Sequence, residues 1–365
     1  MKTIEQALPQ PKSELKGATM MALVYHGPGR RSWEERPRPL LKAATDAIVK
    51  ITTTTICGTD LHILKGDVPE VTDGRILGHE GVGVVTQVGA GVASVKPGDK
   101  VLISCISSCA TCPSCRQGMP SHCERGGGWV LGHLIDGTQA EYARIPFADT
   151  SLYPIAAAAD EAAMAMLSDI FPTAFECGIQ NGQVKPGDTV AIIGAGPIGL
   201  AAVLTAQFYA PAEIIVVDRD DHRLEVAKRL GATRTINNLR EKAAERVMAL
   251  TGGRGVDAAI EAIGVPETFE LCQEIVAAGG TIANIGVHGK SATLHLEKLW
   301  ARNIRITTRL VDTVTTPMLL KAVAAKKLEP AKLVTHRFPM GEIVKAYDTF
   351  ADAAQSKALK VVMSG

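Results

Sequence analysis

The feature that most constrains the fold is a glycine-rich turn placed between an apolar strand and a helix. Residues 190–200 read VAIIGAGPIGL. The glycines of this G-x-G-x-x-G pattern are Gly194, Gly196 and Gly199. Such turns are common, but this one follows a continuous apolar run, has Pro197 in the first turn of the helix, and precedes a second strand that ends at Asp218. The context predicts a dinucleotide site, with the backbone close to a pyrophosphate at the helix N-terminus.

Asp218 bears on the choice of dinucleotide. It lies nineteen residues after Gly199, where a carboxylate can accept hydrogen bonds from the adenosine ribose hydroxyls. The same carboxylate would repel a 2′-phosphate, which favours NAD over NADP. Arg219 points the other way because a cation could accommodate that phosphate, and Asp218 could also be only a turn or helix-capping residue.

The surrounding pattern predicts a doubly wound parallel α/β sheet, because six short apolar strands alternate with helical periods. The strand candidates are Thr189–Ile193, Glu213–Val217, Thr233–Ile236, Val256–Ile260, Thr281–Val287 and Ile304–Thr308. The helix candidates between them are Pro197–Tyr209, Asp221–Leu230, Arg240–Leu250 and Pro266–Ala277. An alanine-rich run, Ala156–Ala165, is also predicted to be helical. In contrast, Ala22–Leu152 consists of short β-branched runs broken by Gly and Pro, which is typical of a mostly β domain.

Charge and hydropathy exclude several classes of protein. Of 365 residues, 39 are Lys or Arg, 38 are Asp or Glu, and 46% are hydrophobic, so a disordered chain is excluded and nothing favours nucleic acid or an anionic membrane as partner. No run approaches the ~20 apolar residues of a spanning helix, and the first twenty residues lack the apolar core of a signal peptide. We therefore expect a cytoplasmic, two-domain protein whose start, up to Met20, is a loose extension.

The cysteines are unevenly distributed. Four of the eight have the spacing C-x2-C-x2-C-x7-C, at Cys109, Cys112, Cys115 and Cys123. A disulfide cluster would suit a small secreted domain, whereas four thiolates within fifteen residues favour a closed structural zinc site. An iron–sulfur cluster and unliganded thiols are the alternatives. Cys105, Cys177 and Cys272 are expected to be ordinary buried thiols.

A second metal site is indicated between Cys57 and Glu80, where the chain reads CGTDLHILKGDVPEVTDGRILGHE. Cys57 and His79 are suitable zinc ligands in a glycine-rich region of a chain that already has one predicted zinc site. A catalytic zinc needs three protein ligands and one open position, and spacing alone does not identify the third.

Residues 78–92, GHEGVGVVTQVGAGV, resemble the signature G-H-E-x2-G-x5-G-x2-V of the zinc-containing medium-chain alcohol dehydrogenases. The resemblance extends from about Met21 to the C-terminus, in the order CGTDLH segment, GHE segment, four-cysteine lobe, nucleotide fold and returning tail. It implies a GroES-like, mostly β catalytic domain at residues 1–172 and 315–365, with an NAD-binding Rossmann domain at 173–314 inserted between its parts. It also implies a homodimer or homotetramer.

The same resemblance implies roles for individual residues. Cys57, His79 and, in the segment MLSDIFPT, Asp169 would bind the catalytic zinc. Glu80 would be the nearby carboxylate that can exchange onto the metal, and Thr59 and His62 would carry the alcohol proton away. The residues implied to bind the cofactor are Thr173, Ile198, Gly286 and Val287 at the nicotinamide and Arg223 at the adenosine ribose. Trp129 resembles a tryptophan of the substrate pocket wall, with an ordinary core position as the alternative.

The implied activity is reversible hydride transfer between primary or secondary alcohols and NAD, with two zinc ions per chain. Aspartate at the third ligand position resembles bacterial secondary-alcohol dehydrogenases, which commonly lack the four-cysteine lobe that is complete here. The segment MLSDIFPT with a complete lobe resembles formaldehyde dehydrogenases, but no cofactor-trapping insertion is visible. Polyol, butanediol and threonine oxidation stay open as substrate classes. A non-enzymatic zinc- and nucleotide-binding protein is disfavoured because every candidate ligand is kept, and a zinc-free quinone reductase would leave those ligands unexplained.

Overall fold

The computed structural model describes residues 17–365, so the predicted N-terminal extension lies, up to Lys16, outside the described residues. Strands β1–β15 of the described part are Thr19–Tyr25, Arg31–Pro37, Ala47–Thr55, Gly81–Val88, Lys100–Ile103, Tyr142–Ile145, Leu152–Pro154, Thr189–Ile193, Glu213–Asp218, Arg234–Asn237, Val256–Glu261, Val276–Asn284, Arg305–Thr308, Val334–Pro339 and Lys360–Ser364. Helices α1–α13 are Gly58–Lys65, Pro113–Arg116, Ala148–Ser151, Glu161–Ala165, Ile170–Thr173, Pro197–Ala206, Asp221–Arg229, Ala243–Leu250, Pro266–Ile275, Leu296–Leu299, Thr316–Ala324, Ile343–Ala351 and Ala353–Ser356. Short 3-10 helices occur at Pro120–His122, Gln207–Tyr209, Pro330–Leu333 and Met340–Glu342, and a π-helix spans Ala174–Gln180.

The predicted doubly wound parallel sheet is confirmed. Six parallel strands have the order β10-β9-β8-β11-β12-β13, and the order reverses between β8 and β11. Strands such as β8 (TVAII) are apolar and buried after their first residue because helices cover both faces of the sheet. In sheets of this kind ligands bind beyond the carboxyl ends of the strands at the reversal. The loop after β8 carries the glycine-rich turn.

Most predicted elements shift by three residues or fewer at their ends, and two begin five residues away from the predicted start. The strand predicted at Thr281–Val287 is β12, Val276–Asn284, and the chain leaves the sheet because Ile285 and Gly286 donate their N–H groups to the carbonyl of Glu261. The helix predicted at Ala156–Ala165 was wrong in its first half, since α4 begins at Glu161. The side chain of Asp160 accepts hydrogen bonds from the N–H groups of Ala162 and Ala163, which fixes the helix start.

The second sheet has seven strands in the order β14-β15-β3-β4-β5-β7, and β6 also pairs with β3. The C-terminal strand β15 lies antiparallel to β3, with Val362 opposite Thr55, so the end of the chain belongs to the same sheet as its first third. This sheet and helix α12 enclose one apolar core. None of the helices in the described part of the chain is both long and apolar enough to cross a membrane.

A buried carboxylate joins the two halves of the molecule. Glu176, in the π-helix between the sheets, is fully buried and accepts hydrogen bonds from the N–H groups of Asp312, Thr313 and Thr315 and from the Thr315 hydroxyl, at 2.8–3.2 Å. Four donors satisfy both carboxylate oxygens, which offsets the cost of burying the charge. The segment that follows β13 of the parallel sheet is thereby fixed against the π-helix, close in sequence to the predicted metal ligand Asp169.

Candidate functional site

The four-cysteine lobe forms a compact cluster of sulfur atoms. The Sγ atoms of Cys109, Cys112, Cys115 and Cys123 all lie within 4.8 Å of one another, and those of Cys109 and Cys115 are 3.9 Å apart. Tetrahedral zinc with Zn–S bonds of ~2.3 Å separates its sulfurs by roughly 3.8 Å. All four cysteines are free thiols. The donor set and spacing therefore fit a closed zinc site.

Backbone N–H groups support thiolates in this lobe. The N–H groups of Cys112 and Thr111 donate to Cys109 Sγ at 3.3 and 3.4 Å, and that of Glu124 donates to Cys112 Sγ at 3.4 Å. Burial opposes ionisation of Cys109, but the Thr111 hydroxyl and these N–H groups lower the pKa of its thiol to about 6. The thiolate is the form that binds metal.

A second cluster brings together three residues that are far apart in sequence. Cys57 precedes α1, His79 precedes β4, and Asp169 precedes α5. Asp169 Oδ2 lies 3.5 Å from Cys57 Sγ and 3.3 Å from His79 Nε2. A tetrahedral zinc ion with bonds of ~2.1–2.3 Å separates such donors by roughly 3.4–3.6 Å. The three side chains thus have the spacing of a zinc site with one position left for another ligand.

Burial makes the protonation of these groups strongly interdependent. Burial and the nearby carboxylate of Asp169 raise the pKa of the Cys57 thiol. Burial disfavours the charged form of His79 as well, but hydrogen bonds to Asp169 and Cys57 outweigh it and raise its pKa well above the ordinary value. The same contact with His79 holds the pKa of Asp169 at about 2 against the effect of burial. A divalent cation would replace the proton as the positive charge that this buried anionic pair requires.

Two unpaired atoms beside the cluster fit the same interpretation. His79 Nδ1 and Asp60 Oδ1 are both buried, face each other at 3.9 Å, and have no hydrogen-bond partner among the described residues. A small rotation of the imidazole would allow the Nδ1–H group to donate to Asp60. Metal-binding histidines regularly make such a contact with a carboxylate through their other ring nitrogen.

Glu80 lies next to this cluster in a buried ion pair. Its Oε2 atom is 2.5 Å from Lys360 Nζ and accepts a hydrogen bond from the Thr55 hydroxyl. Lys360 is 1% exposed and also donates to the carbonyl of Ile56 at 3.0 Å. The other oxygen, Oε1, is buried without a hydrogen-bond partner among the described residues. Glu80 thus has one anchored and one uncommitted oxygen.

Helix α1 places two polar side chains on one face, because Thr59 and His62 are three residues apart. The Thr59 hydroxyl lies 3.6 Å from Cys57 Sγ, at the cluster. The His62 side chain is 36% exposed, and its Nδ1 atom lies 2.8 Å from Asp67 Oδ2. The helix therefore connects the buried cluster with the protein surface.

The glycine-rich loop has the shape of a phosphate cradle. Gly194 has φ +111°, a conformation that favours glycine, and a Cβ atom at Gly199 would collide with the carbonyl of Gly194, which lets α6 pack tightly on the loop. At Gly196 a Cβ atom would meet only Arg223 Nη1, at 4.0 Å. The backbone is therefore open at Gly196, where α6 begins, with a guanidinium nearby, as an anionic ligand at a helix N-terminus requires.

Asp218 ends β9 beside this cradle and already accepts three hydrogen bonds from the backbone. The donors are the N–H groups of Ala195, Arg219 and Asp220, at 2.7–2.9 Å. Asp218 therefore ties the glycine-rich loop to the end of β9. The helix cap that the sequence left as an alternative for Asp218 is made by Asp220 instead.

The loop after β12 extends toward the cluster of Cys57, His79 and Asp169. Ile285 and Trp129 pack against the buried group Cys105, Ile106, Cys177 and Val311. Cys105 Sγ is 3.7 Å from Asp169 Oδ1, so this apolar group adjoins the cluster. Gly286 and Val287 follow directly, and Val287 is 65% exposed. Ile198, the second residue of α6, packs on the apolar core. The Thr173 hydroxyl donates to Asp169 Oδ1 at 2.5 Å.

Trp129 lies next to the cluster of Cys57, His79 and Asp169. Its ring meets that of His79 edge to face at 6.0 Å and stacks on His133 at 4.2 Å. The sequence analysis assigned no role at this site to Asp60 and Cys105, which contact the cluster, or to Lys360, which contacts Glu80 beside it. Asp60 could have been noticed within CGTDLH, but no local signal marks Lys360, which lies 280 residues from its partner Glu80.

Comparison with known proteins agrees with this geometry. Residues 43–157 match the alcohol dehydrogenase GroES-like domain family and residues 197–325 match the zinc-binding dehydrogenase family. An alcohol dehydrogenase from Cupriavidus necator is 38% identical over 92% of this chain and 96% of its own length. The solved zinc-dependent alcohol dehydrogenase 2 from Streptococcus pneumonia superposes with a TM-score of 0.91 at 53% identity, covering 95% of this chain and 98% of that one.

One relative bears on the cofactor. An NADP-dependent isopropanol dehydrogenase from Thermoanaerobacter brockii is 31% identical over 96% of this chain and 99% of its own length. Relatives of this chain therefore include an enzyme named for NADP. The two domain matches and the near-complete coverage of the relatives lead to one conclusion: this chain belongs to the zinc-containing medium-chain alcohol dehydrogenase family.

Proposed function

We propose that this protein is an NAD-dependent zinc alcohol dehydrogenase that interconverts primary or secondary alcohols with aldehydes or ketones. The observation that carries the proposal is the convergence of Cys57, His79 and Asp169 at zinc-ligand distances. Three mixed ligands leave a fourth position for substrate, whereas the four-cysteine lobe offers a complete set and is proposed to hold a structural zinc ion. Zinc in the mixed site would supply the Lewis acidity that lowers the pKa of an alcohol hydroxyl.

The residues of α1 are proposed to remove the alcohol proton. Thr59 lies at the cluster, and its hydroxyl can both accept and donate a proton. His62 lies one turn further along, and Asp67 accepts a hydrogen bond at Nδ1, which leaves Nε2 to take up the proton. Because the imidazole is partly exposed, it can release the proton to solvent.

Asp169 and Glu80 are proposed to have different roles at the metal. The Thr173 hydroxyl holds Oδ1 of Asp169, so Oδ2, which faces Cys57 and His79, is preorganised as the third ligand atom. The Lys360 ammonium group holds Oε2 of Glu80, so only Oε1 could move onto the metal. The buried lysine also balances the negative charge of the anionic ligands.

A nicotinamide cofactor would supply the hydride acceptor, and the chain is proposed to hold it along the crevice of the parallel sheet. Gly194, Gly196 and Gly199 would receive the pyrophosphate at the start of α6. Asp218 and Arg223 would contact the adenosine ribose, and the carboxylate favours NAD over NADP. The nicotinamide would be held by Thr173, Ile198, Gly286 and Val287.

The exposed edge of the parallel sheet supports a homodimer or homotetramer. Strand β13 ends the sheet, and apolar side chains beside it are exposed, Trp300 by 80% and Leu310 by 44%. A second copy could pair with this edge and cover them. The eight thiols, none of which forms a disulfide, are consistent with a cytoplasmic enzyme.

Metal content and turnover test the proposal together. Purified protein is expected to contain two zinc ions per chain and to reduce NAD with primary or secondary alcohols, followed at the NADH absorbance band. The same assay with polyols, butanediol and formaldehyde decides among the alternative substrates. A single zinc ion would contradict the two-site proposal, and a higher kcat/KM with NADP than with NAD would contradict the role given to Asp218.

A further inference from the structure

A chain of buried polar side chains links the C-terminal part of the protein to the predicted metal ligand His79. Tyr347, on α12, donates its hydroxyl to Gln139 Oε1 at 2.8 Å. Gln139 Nε2 in turn donates to Asp60 Oδ2 at 3.1 Å and to the carbonyl of Thr55 at 3.0 Å. Tyr347 and Gln139 are fully buried and Asp60 is 1% exposed, so water does not compete for these hydrogen bonds.

The polarity of this chain is determined by its partners. The Thr55 carbonyl can only accept a hydrogen bond, so the amide nitrogen of Gln139 must face it, and the amide oxygen must face Tyr347. Tyr347 must then be the donor. Burial raises the pKa of its hydroxyl well above the ordinary value, so the donor proton is retained.

At its other end the chain fixes Asp60. Oδ2 of Asp60 accepts from Gln139 and, at 2.9 Å, from the N–H group of Cys57. With Oδ2 doubly engaged, Oδ1 is directed toward His79 Nδ1, 3.9 Å away, and both atoms are otherwise unpaired. An imidazole that donates Nδ1–H to this oxygen has the lone pair of Nε2 facing Cys57 and Asp169.

We propose that Tyr347 and Gln139 are positioning residues for the metal ligand His79, acting through Asp60. This inference rests on the proposed zinc site at Cys57, His79 and Asp169. It assigns a role in metal retention to α12, which contributes no ligand. The hydrogen bonds from Tyr347 through Gln139 to Asp60 select one tautomer and one ring orientation of His79. Loss of these hydrogen bonds therefore weakens zinc binding at the Cys57 site and leaves the four-cysteine lobe unchanged.

Zinc release to a chromogenic chelator tests the proposal on the intact protein. Zinc release is expected to have two kinetic phases, one for each site. The phase that is missing in Cys57→Ala belongs to the Cys57 site. In Tyr347→Phe, which removes only the hydroxyl, this phase is expected to be about 3- to 10-fold faster, a smaller effect than the ~10- to 100-fold known for direct partners of metal-binding histidines. Gln139→Met should act similarly. In the double variant the acceleration of zinc release should be smaller than the product of the two single accelerations, because both substitutions break the same series of hydrogen bonds.

Tyr25→Phe is the matched control. Tyr25 is buried in the same core, and none of the hydrogen bonds of Gln139 or Asp60 within residues 17–365 involves its hydroxyl. Its release kinetics should equal those of the wild type. With Co²⁺ at the Cys57 site, the d–d absorption should change in Tyr347→Phe and stay unchanged in Tyr25→Phe, since that spectrum reports ligand orientation rather than general stability.

The outcomes separate this inference from the proposed function. One zinc ion per wild-type chain, held only by the lobe, would overturn both. Two zinc ions and normal turnover, with wild-type release and an unchanged cobalt spectrum in Tyr347→Phe and Gln139→Met, would overturn the inference alone. Equal acceleration in Tyr25→Phe would also overturn it, because the effect would then be a general loosening of the core.

Discussion

The two predicted metal sites are built in opposite ways. The four-cysteine lobe takes its ligands from residues 109–123, uses one ligand type, and is partly exposed. The other site takes a thiol, an imidazole and a carboxylate from three segments separated by up to 112 residues, and these side chains are buried. Ligands of one type from a short segment can surround an ion without help from the rest of the fold. Ligands that the fold brings together can instead leave one coordination position open, and neighbouring elements control the environment of that position.

The difference extends to the groups around each site. Backbone N–H groups of the lobe itself support its sulfurs, for example that of Cys112 on Cys109. Side chains from distant elements support the mixed site, among them Thr173 for Asp169 and Lys360 for Glu80. We therefore expect the lobe to contribute stability and the mixed site to contribute chemistry, which the following changes can test.

Cys57→Ala should have the largest effect on activity. It removes one of three ligands, so kcat/KM should fall by about 10³ or more, which corresponds to the several kcal/mol that a catalytic metal supplies. Zinc content should fall from two ions to one, as measured by atomic emission. Cys272→Ala, a buried thiol in the other domain, is the control and should retain both ions. Normal turnover in Cys57→Ala would contradict the expectation that the mixed site, and not the lobe, contributes the chemistry.

Lys360→Met should have the next largest effect, this time on the free energy of unfolding. It would leave Glu80 buried and without its cation, which costs about 3–5 kcal/mol in urea unfolding. Adding Glu80→Gln in the same chain removes the unpaired charge and should restore part of this loss. A change below about 1 kcal/mol in Lys360→Met would indicate that the mixed site does not depend on this distant charge.

Cys115→Ala should separate stability from chemistry at the lobe. The lobe should lose its zinc ion, and the midpoint of thermal unfolding should fall by an amount on the order of 5 °C. The zinc ion at Cys57 should remain, and kcat of the folded fraction should stay within about threefold of the wild type, since no ligand of the Cys57 site is changed. A loss of activity as large as that in Cys57→Ala would show that the two sites are not independent.

His26→Gln should give the smallest effect, visible in its pH dependence. Hydrogen bonds to Glu34 and Asp73 raise the pKa of His26, which joins the β1–β2 hairpin to the segment that follows α1. A raised pKa stabilises the folded state below the unfolded value of ~6.5, and this is lost as pH rises through the folded value. The melting difference between wild type and variant should therefore be larger at pH 5.5 than at pH 8.5, and 1 M salt should reduce it. An equal difference at both pH values would contradict the assignment.

Parts of the fold followed from local signals in the sequence. The turn at Gly194 could be identified because an apolar strand and a helix start flank it, and the six parallel strands followed from their alternation with helices. At Ala156–Ala165 the alanine content predicted the wrong helix start, although Asp160 marks the observed start locally as an N-cap residue. The proposed third ligand, Asp169, was predicted only from family resemblance, because its sequence separation from Cys57 contains no information on distance in space.

The sequence by itself determined the four-cysteine lobe, the glycine-rich cradle and the β/α alternation, because each depends on neighbours within one or two turns of chain. Only the tertiary structure decided that Asp60 faces His79, that Lys360 pairs with Glu80, and that Tyr347 is hydrogen-bonded to Asp60 through Gln139. Two of those contacts, at Lys360 and Tyr347, join the C-terminal part of the chain to elements of its first half. Their physical basis is burial: a charge or polar atom withdrawn from water must find its partner wherever the packed chain supplies one.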